Sequence, residues 1–347
     1  MRAPAAPRSS SPTPRLRRAD CAGPGLTRRR HGRGFVYLDA DGEKVDDPEV
    51  VTRIHELVIP PAWQDVWICP YPGGHIQATG IDQAGRKQYL YHPHWRARRD
   101  QQKFDDMVVF ARTLPALREK VDEALRGNDM GREHVLACAV RLLDRGFFRV
   151  GGEDYAVTNN SYGLATMLKR HVRLRDDVLV FDYPAKHGKR RVQAVIDPEV
   201  AETIARLKAR SGGGPELLAY KEGRRWVDVR SEDINEYLKA TTGEDVSAKD
   251  FRTWGATVLA AMALAVSGEV AATKTGRKRA VTRAVKEVAH YLGNTPAVAR
   301  ASYIDPRVFD RYRDGKTIAH ALPLAGEDGE APAIQGPIEE AVLDLVT

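Results

Sequence analysis

The sequence has few cysteines, no long apolar run and none of the common metal-binding patterns, and each absence excludes a class of protein. Three cysteines in 347 residues, Cys21, Cys69 and Cys138, are too few and too scattered for a disulfide framework or a thiolate metal site. No run of about 18 apolar residues occurs, so a membrane-spanning helix is excluded. The patterns CxxC, HxxxH and HExxH are missing, and we therefore expect no catalytic zinc or other bound metal.

A nucleotide-binding loop is missing as well. Near Gly188 and Lys189, the upstream glycine that a P-loop requires would fall at Tyr183, and Arg190 stands where Ser or Thr is needed. We therefore expect a protein that binds no nucleotide and uses no cofactor.

The charge that is present is divided unevenly along the chain, whose net charge is +7. Residues 1–33 contain nine Arg and one Asp, whereas residues 323–347 contain six acidic residues and no basic ones. The first segment has no apolar periodicity, which predicts a disordered basic arm; the second predicts an acidic tail with one short helix at Ile338–Leu345. A basic protein favours a polyanionic partner such as nucleic acid, although solubilising tails would give the same composition.

Between the two tails, the pattern predicts an α+β fold with two domains. Residues 34–95 carry short strand-like runs separated by Pro and Gly, which indicates a small β-rich N-terminal domain with one helix at Glu49–Val58. Residues 96–322 form a larger, mainly helical domain that includes a β-hairpin. The hairpin pairs Val178–Tyr183 with Arg191–Val195. Helices are predicted at 101–128, 133–143, 198–209, 231–240, 248–267, 278–291 and 295–303.

Three cations of the second domain lie in unfavourable local surroundings. Arg149 stands between Phe148 and Val150, where a buried guanidinium needs a partner. Lys249 and Arg252 fall in the first turns of a predicted helix, where anions such as phosphate are favoured and cations are not. An internal salt bridge for Arg149, and an outward orientation for the other two, would explain the pattern equally well.

Three further residues could take part in chemistry at phosphorus. Lys186 lies at the predicted hairpin tip, Asn294 at a Gly-Asn-Thr-Pro helix junction and Tyr303 late in the following helix. Each has an ordinary explanation, as a solvated lysine, a helix cap and a packing residue respectively. Together with two guanidiniums, they would supply a nucleophile, a proton donor and a neutral donor to a phosphodiester without a metal ion.

The order Arg149, Lys186, Arg252, Asn294, Tyr303 resembles the catalytic pentad of type IB DNA topoisomerases, in particular the short, poxvirus-like bacterial branch. The resemblance covers roughly residues 34–322. It includes Phe-Arg-Val-Gly at 148–151, Asn-Ser-Tyr-Gly at 160–163, Ala-Lys-His-Gly-Lys at 185–189, Lys-Asp-Phe-Arg-Thr-Trp-Gly at 249–255 and Leu-Gly-Asn-Thr-Pro at 292–296.

The resemblance implies a role for each residue of this set. Tyr303 would be the nucleophile that forms a 3′-phosphotyrosyl bond, Arg149 and Arg252 would stabilise the transition state, and Lys186 would protonate the 5′ oxygen. Asn294 stands where many relatives have His, so an amide donates in place of an imidazole. Lys249 would be an auxiliary cation, and Lys189 is a rival to Lys186 for the role of general acid.

The resemblance also implies the partner, which is duplex DNA. A monomer would close its two domains around the duplex as a C-shaped clamp, cut one strand, allow rotation and reseal it without ATP or metal, in the cytoplasm and associated with the nucleoid. As a further hypothesis, the acidic tail competes with DNA or contacts the basic arm. Arg96 would add a phosphate contact. The other expected DNA contacts are Arg86, Gln88, Tyr89, Tyr91, Arg98, Arg99, Tyr155, Thr166 and Lys189.

Two alternatives stay open at this point. A tyrosine recombinase or integrase shares the catalytic layout, but such enzymes usually carry His-x-x-Arg where this chain has Lys249 and Arg252. A DNA-binding relative without catalytic activity is the other alternative. Relaxation of a supercoiled plasmid in EDTA without ATP separates the three hypotheses.

Overall fold

A computed structural model of the chain describes residues 15–127, 129–175, 177–267, 273–325 and 334–347, without the side chains of Asp154 and Tyr155. The chain divides into two compact units between Lys103 and Phe104, later than the predicted boundary after residue 95. The change in composition at residue 95 marks the beginning of helix α2, which spans Pro93–Arg126 and continues across the boundary.

The first unit is built on an antiparallel sheet. Its strands are β1 Leu26–His31, β2 Gly34–Leu38, β3 Gln64–Ile68, β4 Ile76–Ile81 and β5 Lys87–Tyr91, and they lie in the order β2, β1, β3, β4, β5. Helix α1, Pro48–Glu56, begins after Asp47, whose carboxylate accepts a hydrogen bond from the Glu49 amide at 2.8 Å. Ile54 of this helix belongs to a small apolar core with Val66 and Ile68. The α+β character and the short strands predicted within residues 34–95 are confirmed.

Strand β1 contradicts the prediction that residues 1–33 form a disordered arm. It pairs with β2 from Thr27↔Leu38 to His31↔Gly34, and Leu26 is buried in the core of the sheet. The segment before it is attached as well, since the Trp67 indole donates to the Gly23 carbonyl at 3.1 Å. The composition of this segment is dominated by arginine and gave no sign of the strand. The backbone of these arginines nevertheless pairs with β2 in the ordinary antiparallel way. Residues 1–14 of the predicted arm lie outside the described residues.

The second unit is mainly helical, and the predicted helices are confirmed, although α2 begins at Pro93, about two turns before its predicted start at residue 101. Helix α3 is almost wholly buried and leads directly into the segment that carries Arg149. None of the described helices is long and apolar enough to cross a membrane. After α2, the helices are α3 Arg132–Gly146, α4 Glu153–Asn159, α5 Pro198–Ala209, α6 Ser231–Thr242, α7 Ala248–Val266, α8 Lys274–Leu292, α9 Pro296–Ser302, α10 Pro306–Arg313 and α11 Pro337–Val346.

A three-stranded sheet in the second unit carries the predicted hairpin. Its strands are β6 Val172–Arg175, β7 Val178–Pro184 and β8 Arg190–Ile196, and a separate pair is formed by β9 Ala219–Glu222 and β10 Arg225–Asp228. The hairpin of β7 and β8 is confirmed, with Tyr183 opposite Arg191. The short β6 was missed because two of its four residues are arginines.

The acidic tail is not a free tail in its described part. In α11, Ile338, Val342 and Val346 lie four residues apart along one helix face and are buried in the core of the second unit. Glu339 accepts a hydrogen bond from the Trp254 indole at 2.7 Å and pairs with Arg118 at 2.6 Å. Helix α11 therefore folds into the core because its apolar periodicity outweighs its acidic composition, and the hypothesis that the acidic tail competes with DNA stays a prediction. Residues 326–333 lie outside the described residues.

Candidate active site

Arg149 is positioned by the end of the buried helix α3. Phe147 ends the helix in the left-handed conformation, with φ of 49°, and Phe148 is fully buried with its ring edge-on to Phe181 at 4.8 Å between centroids. This burial directs the next residue, Arg149, toward the surface, where it is half-buried. Its Nη2 donates a hydrogen bond to Oδ1 of Asn294. Among the ion pairs between described residues, none involves Arg149, so the internal salt bridge is not its explanation.

Arg252 points inward from the first turns of α7. The helix begins at a capping box in which Asp250 accepts hydrogen bonds from the Ser247 amide at 2.8 Å and hydroxyl at 3.0 Å. Arg252 is 3 % exposed, and its guanidinium donates to the Phe147 carbonyl and, at 2.9 Å, to the Leu292 carbonyl. Burial and the neighbouring Arg149 lower the pKa of Arg252 to about 10, so it stays cationic at neutral pH.

Tyr303 directly follows α9, whose first turn is capped by the Thr295 hydroxyl. The tyrosine is half-buried, and the centroid of its ring lies 5.3 Å from the Arg252 guanidinium carbon. Burial alone would raise the pKa of Tyr303, but the positive charges of Arg252 and Arg149 outweigh it and lower the pKa. This hydroxyl is therefore more easily ionised than that of an ordinary tyrosine.

A cavity of about 280 Å³ brings most of the predicted catalytic residues together. Arg149, Lys186, Lys249, Arg252 and Tyr303 all line it, and the two lysines are exposed. Among the described residues, no group of three His, Cys, Asp or Glu side chains is placed to hold a metal ion.

Asn294 lies beside a second, larger cavity of about 760 Å³, which Arg149 and Lys186 also line. Its backbone amide donates to the Ala289 carbonyl at 2.9 Å, so the residue is held at the end of α8. The side-chain Nδ2 is buried and has no hydrogen-bond partner in the described part of the chain. The predicted set of five is thus continuous, because Arg149 and Lys186 line both cavities.

The Asn-Ser-Tyr-Gly segment supports the loop that follows Arg149. The Leu164 amide donates to the Arg149 carbonyl at 2.8 Å, and a Cβ at Gly163 would lie 2.4 Å from Gly151. Only glycine permits this close approach. Thr166 was expected to contact DNA, but it is buried and its hydroxyl accepts a hydrogen bond from the Gly163 amide at 3.0 Å. This favours a structural role for Thr166 in holding the loop. The side chain of Tyr155 lies outside the described residues.

The expected DNA contacts of the first unit fall into exposed side chains and side chains that are hydrogen-bonded within the protein. Tyr89 and Tyr91 are exposed on one face of β5 with stacked rings, 6.1 Å between centroids. In contrast, Arg86 and Gln88 both donate to the carboxylate of Asp82, at 2.8 and 2.9 Å. The remaining expected contacts are exposed, in α2 or at the hairpin tip: Arg96, Arg98, Arg99 and Lys189.

Sequence reasoning missed two groups of residues. Arg29 and His31 of β1 were assigned to the basic arm, because the run Leu-Thr-Arg-Arg-Arg-His has no apolar alternation that would reveal a strand. Arg191 was taken only as a hairpin residue, yet it lines the larger cavity with Arg149 and Asn294. No local signal distinguishes it, because its neighbours are also arginine and lysine.

Two family models match the chain. The model for the catalytic core of eukaryotic DNA topoisomerase I matches residues 92–320, and that for the N-terminal domain of bacterial DNA topoisomerase IB matches residues 34–82. Strand β1 lies before the second match.

Curated relatives agree with these models. The chain is 28 % identical over 300 residues to DNA topoisomerase 1B of Acanthamoeba polyphaga mimivirus, which covers 84 % of this chain and 88 % of that protein. It is also 19 % identical over 236 residues to DNA topoisomerase I of Monkeypox virus and to DNA topoisomerase 1B of Vaccinia virus (strain Copenhagen). Each of these alignments covers 68 % of this chain and 72 % of the relative. The catalytic-core match alone spans more than half of the chain, and the chain therefore belongs to the type IB DNA topoisomerase family.

Proposed function

We propose that this chain relaxes supercoiled duplex DNA by cutting and resealing one strand through Tyr303, as a monomer and without ATP or a metal ion. The observation that carries the proposal is the placement of Tyr303 next to Arg252 on a cavity that Arg149 also lines. Two guanidiniums beside a tyrosine of lowered pKa suit attack on a phosphodiester.

In the proposed first step, the Tyr303 oxygen attacks phosphorus and the bond from phosphorus to the 5′ oxygen breaks. The tyrosine loses its proton, and the departing 5′ oxygen gains one from Lys186, which leaves a 3′-phosphotyrosyl bond and a free 5′-hydroxyl. The second step is the reverse reaction. Because one phosphodiester replaces another, the two steps are nearly balanced in energy, and release of supercoiling drives the overall change.

Buried donors of the site suit the negative charge of the phosphate. The guanidinium of Arg252 has a buried Nε without a partner in the described part of the chain, as does Nδ2 of Asn294. Buried donors without an acceptor are unfavourable, and phosphate oxygens would satisfy them. Because Asn294 is neutral, we propose that the main positive charge comes from Arg149 and Arg252, with Lys249 as an exposed auxiliary cation.

The sheet of the first unit offers a surface for DNA on the face opposite α1. Pairing places Thr27, Trp67, Thr79 and Tyr89 side by side across this face. Residues two apart along a strand share a face, so Arg29 and His31 lie on it with Tyr91. Neighbouring strands are about 4.8 Å apart, so β1 and β5 are separated by about 14 Å. We propose that Arg29 contacts backbone phosphates and that the exposed tyrosines contact the groove. Closure of a clamp around the duplex remains a prediction of the family resemblance.

The proposal is tested by plasmid relaxation in EDTA without ATP, with the wild type and Tyr303→Phe. We expect the wild type to relax the plasmid and to form a covalent protein–DNA adduct after denaturation by detergent. The phenylalanine variant should form neither product yet bind DNA with unchanged affinity. A recombinase or a non-catalytic DNA-binding protein would leave bulk supercoiling unchanged, and full activity of the variant would exclude Tyr303 as the nucleophile.

A further inference from the structure

Two side chains of strand β8 form hydrogen bonds with the backbone at the ends of helices α3 and α8, next to the site. Arg191 and Gln193 lie on the same face of the strand and are half-buried, whereas Arg190, Val192 and Ala194 are exposed. Arg191 Nη2 donates to the Tyr291 carbonyl at 2.7 Å, and its Nε donates to Oε1 of Gln193 at 2.8 Å. Gln193 Nε2 in turn donates a hydrogen bond to the Gly146 carbonyl. The pair therefore connects the end of α3 to the end of α8.

Arg252 connects the same two segments from another element. It donates to Phe147 and Leu292, the residues that directly follow the two carbonyls bound by Gln193 and Arg191. The ends of α3 and α8 are thus each bound twice in succession, once from β8 and once from α7. This arrangement fixes the distance between the two segments more firmly than one arginine could.

The two segments lead to Arg149 and Asn294. Between Tyr291 and Asn294, Gly293 takes the left-handed conformation with φ of 63°, and a Cβ built there would lie 2.7 Å from Nη1 of Arg191. The guanidinium therefore packs directly against the turn that orients Asn294. The orientation of the Asn294 side chain matters for the proposed mechanism. Its Oδ1 accepts a hydrogen bond from Arg149, and its Nδ2 is left to donate to the phosphate.

We propose that Arg191, with Gln193 as its partner, is a positioning residue of the cleavage reaction that acts through Asn294. The inference rests on the proposed function of the site. Arg191 holds the turn of residues 291–294 against the segment that carries Arg149, so that the amide of Asn294 is oriented before DNA binds. Orientation in advance matters because a small misplacement of a reacting group costs large factors in rate.

The opposing explanation is that Arg191 acts as a further positive charge near the phosphate. Arg191→Lys separates the two, because lysine keeps the charge but has only one nitrogen and cannot reproduce the forked geometry in which Nε and Nη2 of Arg191 reach Gln193 and Tyr291. Arg191→Met removes both the charge and the hydrogen bonds. Arg190→Ala is the matched control, since Arg190 is the neighbouring arginine, is exposed and pairs with Asp182 at 2.8 Å.

The experiment measures single-turnover cleavage of a duplex oligonucleotide by the full chain in EDTA, with DNA binding and thermal unfolding recorded for each variant. We expect Arg191→Met to slow cleavage about tenfold or more, with DNA affinity within about twofold of the wild type. The lysine variant should be slowed nearly as much, and Arg190→Ala should cleave at the wild-type rate. Recovery of the rate by lysine would overturn the proposal in favour of a charge effect.

A double-mutant cycle with Asn294→Ala identifies the residue through which Arg191 acts. If the effect passes through Asn294, adding Arg191→Met to Asn294→Ala should slow cleavage by less than about twofold more. A multiplicative loss would overturn the proposal. If Arg191→Met does not fold, Gln193→Leu takes its place in the cycle with the same expectation. Failure of the proposed function would be distinct, since the wild type itself would then form no covalent adduct.

Discussion

The guanidinium carbon of Arg252 lies 5.3 Å from the ring centroid of Tyr303, so a buried cation and the candidate nucleophile share one side of the cavity. This relationship has two consequences. The positive charge stabilises the ionised form of Tyr303, and the same guanidinium ties together the ends of α3 and α8. Arg252 is therefore expected to serve the chemistry and the architecture of the site together.

Arg252→Lys should separate these two contributions only in part, because lysine keeps the charge but cannot donate to two carbonyls in the same geometry. We expect cleavage to fall by about 100-fold. We also expect the free energy of unfolding to fall by about 1–3 kcal/mol, since the Phe147 and Leu292 carbonyls lose a buried donor. Single-turnover cleavage and urea denaturation measure the two effects. Unchanged stability would show that Arg252 has no architectural role.

The lowered pKa of Tyr303 predicts the pH dependence of cleavage. Attack requires the ionised phenol, so the rate should rise with pH and level off at a lower pH than for an ordinary tyrosine. Arg149→Met removes one of the charges that lower this pKa, and its profile should therefore rise at higher pH than that of the wild type. The measurement is the rate of single-turnover cleavage from about pH 5 to pH 10. Profiles of the two proteins that coincide after scaling would contradict the assignment.

Glu339 is expected to stabilise the second unit through α11. Glu339→Ala leaves the Trp254 indole without its acceptor and removes one of two carboxylate partners of Arg118, the other being Asp144 at 2.9 Å. We expect the free energy of unfolding to fall by about 2–4 kcal/mol, measured by urea denaturation. Glu340→Gln, at an exposed position of the same helix, is the control and should be neutral.

Deletion of residues 337–347 tests the role of α11 as a whole. Because Ile338, Val342 and Val346 are buried, the deletion should lower the melting temperature and expose apolar surface. A truncated protein with unchanged melting temperature and tighter DNA binding at low salt would instead support a tail that competes with DNA.

Arg29 and Arg30 provide a matched test of the sheet surface, because neighbouring residues of β1 lie on opposite faces. Arg29→Ala should weaken DNA binding and reduce the slope of log affinity against log salt by about one. Arg30→Ala should have a smaller effect on both. Tyr91→Ala should weaken binding with little change of slope, because a stacking contact releases no counterions. If Arg29→Ala and Arg30→Ala weaken DNA binding equally, DNA does not bind specifically to the face of the sheet that carries Arg29.

Much of the fold was predictable because it depends on local patterns. The hairpin tip, the helix that begins at Ser247 and the strands of residues 34–91 follow from turn residues, capping residues and apolar alternation. The predictions were wrong where they relied on the composition of a segment and not on the periodicity of its apolar residues. Arg28, Arg29 and Arg30 hid a strand in the basic arm, and three glutamate and aspartate residues hid the buried face of α11.

The sequence alone determined which residue types are available and in what order, and through the family resemblance this order predicts that Arg149, Lys186, Arg252, Asn294 and Tyr303 form one set. Only the tertiary structure decided which partners they meet, because hydrogen bonds between residues 100 or more positions apart leave no local pattern. The bond from Arg149 to Asn294 and the connection of Arg191 to Tyr291 are of this kind. Tertiary packing also made Arg252 a buried cation, since α7 turns it toward the ends of α3 and α8 and away from water.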